Sequence, residues 1–474
     1  MTAYTRAIAS APSAALFSNR AATHLKLESF GSAIADAEAA LRLDATFVKA
    51  YYRRGSALMA LSRIKLAKKD FVAVLSARPG DKDATAKVAE CDKAIKRAAF
   101  EAAIATESSR PPSESLNPDS LALTNSYTGP VLPRIPALGA AASAEECAAD
   151  PTAVNEHGVS LGFVRALRSE FLSQRGLHKR FTWEMLQRIN KLFRSYRTLV
   201  RAPFPADAEF FNVCGDTHGQ YYDTCNIFSL VGEPSPTNPF IFNGDFVDRG
   251  SFSVENVLLL FAWKLLYPAH VHLHRGNHET ISQNRVYGFE GEVKAKFCGA
   301  TMDLFTEVFQ ALPLATVIDD AVFVTHGGLF CSDGVTLADI ASIPRFCEPP
   351  EAGGLMSDLL WSDPQPFAGR GPSKRGVGMS FGPDITAAFL ASNGLQLLIR
   401  SHEVKDDGYV VEHAGKCITI FSAPNYCDSV GNKGAVCRLR RGQYESPTFV
   451  SFDAVPHPPV RPMAYSSMAG MFGL

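Results

Sequence analysis

Polar side chains of the types that bind metal ions recur directly after short apolar runs in the second half of the sequence. Asp216 and His218 follow Phe-Asn-Val-Cys-Gly, and Asp245 and Asp248 follow Phe-Ile-Phe-Asn-Gly. The same arrangement holds at four further positions, which are Asn277, His278, His326 and His402. Ligands and catalytic groups lie at the carboxyl ends of strands in layered α/β folds. We therefore predict one site that is built from strand ends.

The mixture of carboxylate, imidazole and amide groups determines what such a site could bind. These ligands suit two divalent metals of hard to borderline character. One carboxylate can bridge two ions about 3.5–4 Å apart, and such a pair clamps the attacking and the leaving oxygen of a phosphoryl transfer. A single Asp-x-His is usually a turn, and a single buried histidine usually has an ordinary hydrogen-bond partner. Five such clusters in one domain favour metal-assisted phosphoryl chemistry.

Three histidines on one short apolar run leave a second interpretation open. His270, His272 and His274 alternate along the run and could form a third metal site. The alternative, which we favour, is that they belong to a strand leading into the loop at Arg275.

Short β-rich runs and helical patterns alternate through this part of the chain and must position the polar residues. Apolar residues recur at helical spacing from Val164 to Val200. The predicted strands are 210–213, 240–242, 271–274, 322–324, 397–399 and 417–421. This alternation predicts a layered α/β domain.

An internal repeat precedes that domain. Asn19-Arg20-Ala21 recurs 34 residues later as Arg53-Arg54-Gly55, and Asp36 matches Asp70 at the same spacing. This period, with small residues where two helices meet, resembles the tetratricopeptide repeat. It predicts an all-α repeat solenoid, and a generic alanine-rich helical bundle is the alternative.

The ends of the repeat region differ from its centre. Ala7-Ile8 followed by Pro12 looks like the close of one more repeat whose opening helix is absent, so we expect a truncated first repeat. The charged stretch from Asp83 to Ile104 is expected to cap the stack, because a solenoid needs capped ends. Proline and small polar residues then dominate 106–160, which predicts a linker that is partly disordered.

Composition narrows the class of protein. The chain has 474 residues, a formal net charge of −1 and ten cysteines without a regular framework, which predicts a reducing compartment and no general affinity for nucleic acid or anionic membrane. No apolar run reaches 18 residues, so no membrane span is expected. Met1 to Leu27 lacks acidic residues and could also be an organelle transit peptide, although the repeat explains it better.

Several motifs resemble those of the phosphoprotein phosphatase family. The three signature motifs are matched by Gly215-Asp-Thr-His-Gly219, Gly244-Asp-Phe-Val-Asp-Arg-Gly250 and Arg275-Gly-Asn-His-Glu279. Later blocks are matched in order by His326-Gly-Gly-Leu, Trp361-Ser-Asp-Pro, Arg400-Ser-His-Glu and Ser422-Ala-Pro-Asn-Tyr-Cys. The resemblance covers about residues 164–456. It implies a metallophosphoesterase domain, a β-sandwich flanked by helices, that hydrolyses phosphoserine and phosphothreonine.

The resemblance also implies two divalent metal ions, with manganese favoured and iron or zinc as alternatives. The first ion would be held by Asp216, His218 and Asp245. The second would share Asp245 and be held also by Asn277, His326 and His402. A hydroxide bridging both ions would attack phosphorus in line.

The roles of the remaining site residues come from the same resemblance. His278 would protonate the leaving Ser or Thr oxygen, and Asp248 would orient its imidazole. The residues expected to bind phosphate are Arg249, Asn277, Arg375 and Tyr426.

The resemblance to family members that carry such repeats also implies a binding partner for the N-terminal repeats of this chain. Their repeats bind the acidic C-terminal tail of the ninety-kilodalton heat-shock chaperone through basic and amide side chains, matched here by Asn19, Lys26, Lys49 and Arg53. A missing first helix would weaken this binding. The resemblance further implies autoinhibition by the repeats and a location in cytoplasm and nucleus.

These assignments divide the chain into four parts. The parts are a repeat domain 1–105, a linker 106–160, a catalytic domain 161–456 and a C-terminal regulatory tail 457–474.

Two other functions are alternatives to a protein phosphatase. One alternative is a metallophosphoesterase acting on dinucleotides or phosphodiesters. The other is a scaffold with an inactive phosphatase domain, which the complete set of matched residues disfavours.

Overall fold

The architecture is described from a computed structural model, in residues 1–104, 110–124, 126–137, 139–350 and 353–466. These residues form two compact units. The first comprises the described part of 1–110 together with 371–380, and the second comprises the rest. Among the described residues, no helix combines the length and the apolar character needed to cross a bilayer.

The first unit is built from consecutive helices. They are α1 (Thr2–Ser10), α2 (Ala14–Lys26), α3 (Phe30–Leu43), α4 (Val48–Ala60), α5 (Ile64–Ala77) and α6 (Lys82–Ile104). Helix α2 packs against α3, and α4 packs against α5. Small residues allow the close approach, because a Cβ on Gly55 would lie 3.1 Å from the Phe71 ring. The helix hairpins agree with the repeat prediction.

The 34-residue spacing places one ion pair at the same position in both repeats. Arg20 donates to both carboxylate oxygens of Asp36 at 2.7 Å. Arg54 donates to both oxygens of Asp70 at 2.9 and 2.8 Å. Both aspartates are 5% exposed, so each guanidinium satisfies a carboxylate that the hairpin has withdrawn from water.

The second unit contains the other α-helices of the described residues. They are α7 (Pro112–Ser115), α8 (Ala144–Ala149), α9 (Leu161–Leu172), α10 (Lys179–Ser195), α11 (Tyr221–Val231), α12 (Ser253–Leu266), α13 (Ile281–Tyr287), α14 (Phe289–Lys296), α15 (Gly299–Ala311), α16 (Leu337–Ala341), α17 (Leu355–Trp361) and α18 (Pro383–Ser392). The helical spacing predicted from Val164 onward corresponds to α9 and α10, whose apolar faces are buried.

Among the described residues, fourteen short strands form three sheets. They are β1 (Leu199–Ala202), β2 (Phe211–Cys214), β3 (Phe240–Phe242), β4 (Val271–Leu273), β5 (Ala315–Ile318), β6 (Val322–Thr325), β7 (Asp363–Pro364), β8 (Arg370–Pro372), β9 (Met379–Phe381), β10 (Leu397–Arg400), β11 (Tyr409–Glu412), β12 (Cys417–Ile420), β13 (Gly434–Leu439) and β14 (Thr448–Phe452). The larger sheets have the orders β1-β5-β6-β10-β12-β11 and β14-β13-β2-β3-β4, and the small one has the order β7-β9-β8. The six strands predicted from the sequence are confirmed to within one residue.

The two larger sheets pack face to face around one core. Val213 and Ile241 of one sheet share this core with Val324, Ile399 and Ile418 of the other. Side chains alternate along a strand, so the neighbouring residues Phe240 and Phe242 face the opposite side, where they pack against α9 to α12 and α15. The outer face of the six-stranded sheet packs against α16 to α18. The β-sandwich flanked by helices is therefore confirmed.

Much of the segment predicted to be a linker packs within the second unit. Cys147 is buried, and the Asn155 side chain donates to the Leu265 and Leu266 carbonyl oxygens at 2.7 and 3.0 Å. The boundaries at 105, 160 and 456 stay predictions. The final residues of the predicted regulatory tail, 467–474, lie outside the described residues.

Candidate metal centre and active site

The predicted ligands follow strands whose carboxyl ends meet at one edge of the sandwich. Strands β2, β3 and β4 are mutually parallel and lead to Asp216, Asp245 and Asn277. Strands β6 and β10 are parallel in the other sheet and lead to His326 and His402. An isolated parallel bridge between Asp216 and Phe421 joins the two sheets at this edge. The topology thus gathers residues that are far apart in sequence.

The structure brings all six predicted metal ligands together. His218 Nε2 lies 3.6 Å from the Oδ2 atoms of both Asp216 and Asp245. His326 Nε2 lies 3.4 Å from Asp245 Oδ2, 2.9 Å from Asn277 Oδ1 and 3.3 Å from His402 Nδ1. All six residues are buried, and Asp245 stands between the two groups.

Backbone carbonyls fix the tautomers of two of these histidines. His218 Nδ1 lies 3.1 Å from the Val247 oxygen, and His326 Nδ1 lies 2.8 Å from the Asn243 oxygen. A carbonyl only accepts, so each Nδ1 carries the proton and each Nε2 presents a lone pair to the centre. This is the orientation that metal-binding histidines take when their second nitrogen is held by the protein.

The donor set fits bound cations. The ring nitrogens, the carboxylate oxygens and the Asn277 amide oxygen face one another, and these are atom types that bind divalent ions. Burial, together with the neighbouring Asp245 carboxylate, raises the pKa of Asp216 to about 7. Burial lowers the pKa of His218 well below its usual value. A divalent ion between these atoms would stabilise the ionised carboxylates and the neutral rings.

Glycines permit the close approach of the ligand loops. A Cβ on Gly276 would lie 2.2 Å from Asp245 Oδ1, and one on Gly244 would lie 2.6 Å from the Gly276 backbone. Five site residues other than glycine also adopt positive φ angles, which are His218, Asp245, Asp248, Arg249 and His402. Such backbone conformations are costly and concentrate at functional sites.

The predicted acid and its partner lie beside the ligand cluster. His278 Nδ1 donates to Asp248 Oδ2 at 2.9 Å. Asn284 Nδ2 and the Phe289 N–H also donate to the Asp248 carboxylate, at 3.1 and 2.9 Å. Burial raises the pKa of Asp248 to about 7, and these donors oppose that effect. His278 also offers a ring nitrogen within 4.8 Å of ligand atoms of His218 and Asp245, so the acid adjoins the metal centre.

Two of the predicted phosphate-binding residues are near this pair. The Arg249 guanidinium lies 3.7 Å from the Tyr287 ring centroid, and Tyr287 lies 5.1 Å from the His278 ring. The Tyr426 ring is 5.1 Å from the His218 ring. Arg249 is only 6% exposed, which suits a cation that binds an anion in a buried site.

The other predicted binding residues lie in the first unit. Arg375 belongs to the segment 371–380, and its role as a phosphate ligand stays a prediction. Asn19 and Lys26 lie on α2, and Lys49 and Arg53 lie on the neighbouring α4. The structure brings these two helices together, since Arg53 Nε donates to Ser18 Oγ at 3.3 Å.

Sequence reasoning gave no role to Glu279, although it closes the third motif. Its carboxylate accepts the backbone N–H groups of Asp245, Phe246 and Gly276, each at 2.8 Å. It therefore holds the loop of Asp245 and Phe246 against its own loop. The signal that the sequence offers for this role is the position of the glutamate at the end of a glycine-containing motif.

His272 on β4 and His274 directly after it contact protein side chains. His274 lies 2.7 Å from both Asn243 Oδ1 and Thr316 Oγ1, and His272 stacks on Phe211. Within the part of the chain that the structure describes, the candidate metal-binding groups all contain Asp245. The strand interpretation of this run is favoured.

Comparisons with known proteins agree with this geometry. A family model described as calcineurin-like phosphoesterase matches residues 211–406, and one described as PPP5 TPR repeat region matches residues 88–201. The chain therefore contains a metallophosphoesterase domain of the kind that the site suggests.

Individual relatives define the family. Human serine/threonine-protein phosphatase 5 is 47% identical over 473 residues, which cover 99% of this chain and 90% of that protein. Serine/threonine-protein phosphatase T of Trypanosoma brucei brucei is 46% identical over 470 residues, which cover 99% and 94%. A solved Saccharomyces cerevisiae protein serine/threonine phosphatase, with similarity to human phosphatase PP5, has a TM-score of 0.63 and 41% identity, covering 65% of this chain and all of that one.

The chain belongs to the serine/threonine-protein phosphatase 5 family. It is a metal-dependent protein serine/threonine phosphatase that carries a tetratricopeptide-repeat region. Phosphoproteins are accordingly its class of substrate.

Proposed function

We propose that the ligand cluster holds two divalent ions that share Asp245. Asp216 and His218 would complete the first set of ligands, and Asn277, His326 and His402 would complete the second. The observation that carries this proposal is the convergence of buried imidazole, carboxylate and amide atoms around Asp245 at one edge of the sandwich. Manganese fits these ligands, and iron or zinc are the alternatives.

The roles of the protein side chains follow from the positions of their atoms. Bound divalent ions supply charge neutralisation and activation of water in this class of site. Arg249, Asn277 and Tyr426, with Arg375, would bind the phosphate oxygens of the substrate. His278 would donate a proton to the leaving Ser or Thr oxygen. Asp248 would hold the imidazole through Nδ1, so that the other ring nitrogen carries the transferred proton.

The division of ligands between two ions is testable by metal analysis. His218→Ala should reduce the metal content from two ions per chain to one, and so should His402→Ala. Combining both substitutions should leave neither ion tightly bound. Two retained ions in either single variant would contradict the assignment.

A second experiment tests whether phosphate monoesters are the preferred substrates. Turnover of a phosphopeptide and of a phosphodiester by the wild-type chain is measured in parallel.

We also propose that α2 and α4 bind the acidic C-terminal tail of the ninety-kilodalton heat-shock chaperone. Asn19, Lys26 and Lys49 are exposed, and Arg53 is half-buried between the helices. Arg53→Ala should weaken binding of such an acidic peptide by at least about fivefold, as expected for a charged hydrogen-bonding group. Lys65→Ala on α5, an exposed lysine outside the four positions, is the matched control. Equal affinity of both variants would remove Arg53 from the binding surface.

Partial autoinhibition and location are further proposals that rest on the family resemblance. The repeats would lower basal activity, and the tail 457–474 would contribute. Gly470 and Gly473, which would weaken a helix there, lie outside the described residues. Deleting residues 1–105 should raise phosphopeptide turnover at unchanged metal content. Equal turnover by the truncated and the full-length chain would mean that the repeats bind partners but do not inhibit the enzyme. The proposed location in cytoplasm and nucleus is testable by imaging the tagged full chain.

A further inference from the structure

The segment Arg461–Ser466, here named the C-terminal strap, lies against the loop that carries Arg249. Ser251 Oγ donates to the Arg461 carbonyl at 2.7 Å and accepts the Ala464 N–H at 3.2 Å. Ser466 Oγ donates to the Val286 carbonyl at 2.5 Å. The strap is therefore attached at both of its ends to the catalytic unit, one attachment being two residues from Arg249.

Met463 lies at the centre of the strap and contacts Arg249 through both its backbone and its side chain. Its N–H donates to the Arg249 carbonyl at 2.8 Å, and its side chain is 1% exposed. The side chain forms a small buried cluster with Val286 and Tyr287. Met463 also has a φ of +53°. A buried methionine seldom adopts this conformation, so the surrounding contacts must hold it there.

The Arg249 side chain lies between two members of this cluster. Its guanidinium is 3.7 Å from the Tyr287 ring centroid, and Nη1 is 4.0 Å from Met463 Sδ. The aromatic face attracts the cation, and the thioether packs beside it. Because Arg249 itself has a φ of +72°, its backbone is also held in an unusual conformation, and the Met463 N–H bonds directly to that backbone.

We propose that Met463 is a positioning residue for phosphate binding, acting through Arg249. The strap would hold the Arg249 backbone, while Met463 Sδ and the Tyr287 ring would hold the guanidinium in the orientation that binds phosphate. A long arginine side chain loses several rotatable bonds on binding an anion, and prior fixation of its rotamer removes part of that cost. This inference rests on the proposed role of Arg249.

The test compares Met463→Ala with Met302→Ala in the full-length chain. Met302, on α15, is a buried methionine that is 6% exposed and packs in a different core. The inhibition constant for inorganic phosphate should rise about tenfold in Met463→Ala, an effect within the range expected for two residues in contact. It should stay unchanged in Met302→Ala. The KM for a phosphopeptide should rise in parallel, with a smaller change in kcat. Both variants should keep the wild-type metal content.

Two further variants separate the strap from Arg249 itself. Met463→Leu keeps most of the side-chain volume and should restore an inhibition constant close to that of the wild type. Met463→Ala added to Arg249→Ala should have no further effect on phosphate binding, because the positioned group is already absent.

The outcomes distinguish two failures. An unchanged phosphate inhibition constant in Arg249→Ala would contradict the proposed role of Arg249. A large effect in Arg249→Ala, with Met463→Ala behaving like Met302→Ala, would overturn the positioning role of the strap. Additive effects in the double variant would overturn it as well.

Discussion

The repeat unit and the metal centre both contain buried carboxylates that accept hydrogen bonds. The donors lie at very different distances along the chain in the two regions. In the repeats, Arg20 and Asp36 are 16 residues apart, and the same pairing recurs between Arg54 and Asp70. In the metal centre, the Asp216 carboxylate accepts the N–H of His402, which is 186 residues away. The ion pairs of the repeats can be recognised from the spacing of their residues in the sequence. The pairs of the metal centre join distant residues, which come together only when the sheets form.

The two regions should therefore respond differently to substitution. Each repeat carboxylate has its own counter-charge, so losing one partner should affect local stability. The Asp216 and Asp245 carboxylates lie close to each other and accept backbone N–H groups, and burial raises the pKa of Asp216 to about 7. Substitutions there should act on metal binding and turnover before they act on the fold.

The largest expected effect is that of Asp245→Asn. Removing the carboxylate that both candidate ligand groups share should lower metal content and should reduce phosphopeptide turnover more than any other single substitution proposed below, since both ions contribute to the reaction. Metal analysis and initial rates on one preparation measure both effects. Two retained ions with a near-normal rate would remove Asp245 from the bridging position.

His278→Asn comes next. Turnover of a phosphoserine peptide should fall by about 10²–10⁴-fold, as expected for loss of a general acid. The loss should be smaller on an aryl phosphate, whose leaving group needs less protonation. Both metal ions should stay bound, which separates an acid from a ligand. Equal losses on the two substrates would contradict the acid role.

Glu279→Gln should have an intermediate effect. The amide keeps the size of the side chain but replaces one acceptor oxygen, so at least one of the three backbone N–H groups loses its partner. Metal affinity should fall about 10–100-fold, as for other groups that hold ligands in place. Titration of the metal-free variant with Mn²⁺ measures the change. Wild-type affinity would show that the loop holds its shape without this carboxylate.

The smallest expected effect is in the repeats. Arg54→Met removes the partner of Asp70 and should destabilise α4 and α5 by about 1–3 kcal/mol, the cost of an unpaired buried polar group. Hydrogen exchange of the α4 amides reports this local stability. Arg42→Met, at an exposed position on α3, is the control. Metal content should be unchanged, and a loss of metal would contradict the independence of the two regions.

Sequence reasoning anticipated the elements better than the contacts between them. The strands that lead to Asp216, Asp245 and His326 were predicted to within one residue, because buried strands and glycine turns have strong local patterns. The hydrogen bond from His326 to Asn243 and the packing of Met463 against Arg249 had no such pattern. These contacts join residues from distant loops, so only the tertiary structure shows them.

The segment 106–160 shows the same limit. Its proline-rich composition predicted a linker, and composition carries no information about which surface a segment covers. The Asn155 side chain bonds to two carbonyls at the end of α12, and Ser113 bonds to Glu307 at 2.7 Å. These polar contacts, together with the buried side chains of Leu132, Cys147 and Val159, attach the segment to the folded unit.

The central claim is that one buried cluster holds two ions that act together. Stepwise addition of Mn²⁺ to the metal-free full-length chain, with bound metal and phosphopeptide turnover measured at each step, tests it most directly. The account predicts that turnover reaches its plateau at two ions per chain, with little activity when only the first ion is bound. Full turnover at one ion per chain, or turnover that is independent of added metal, would contradict it.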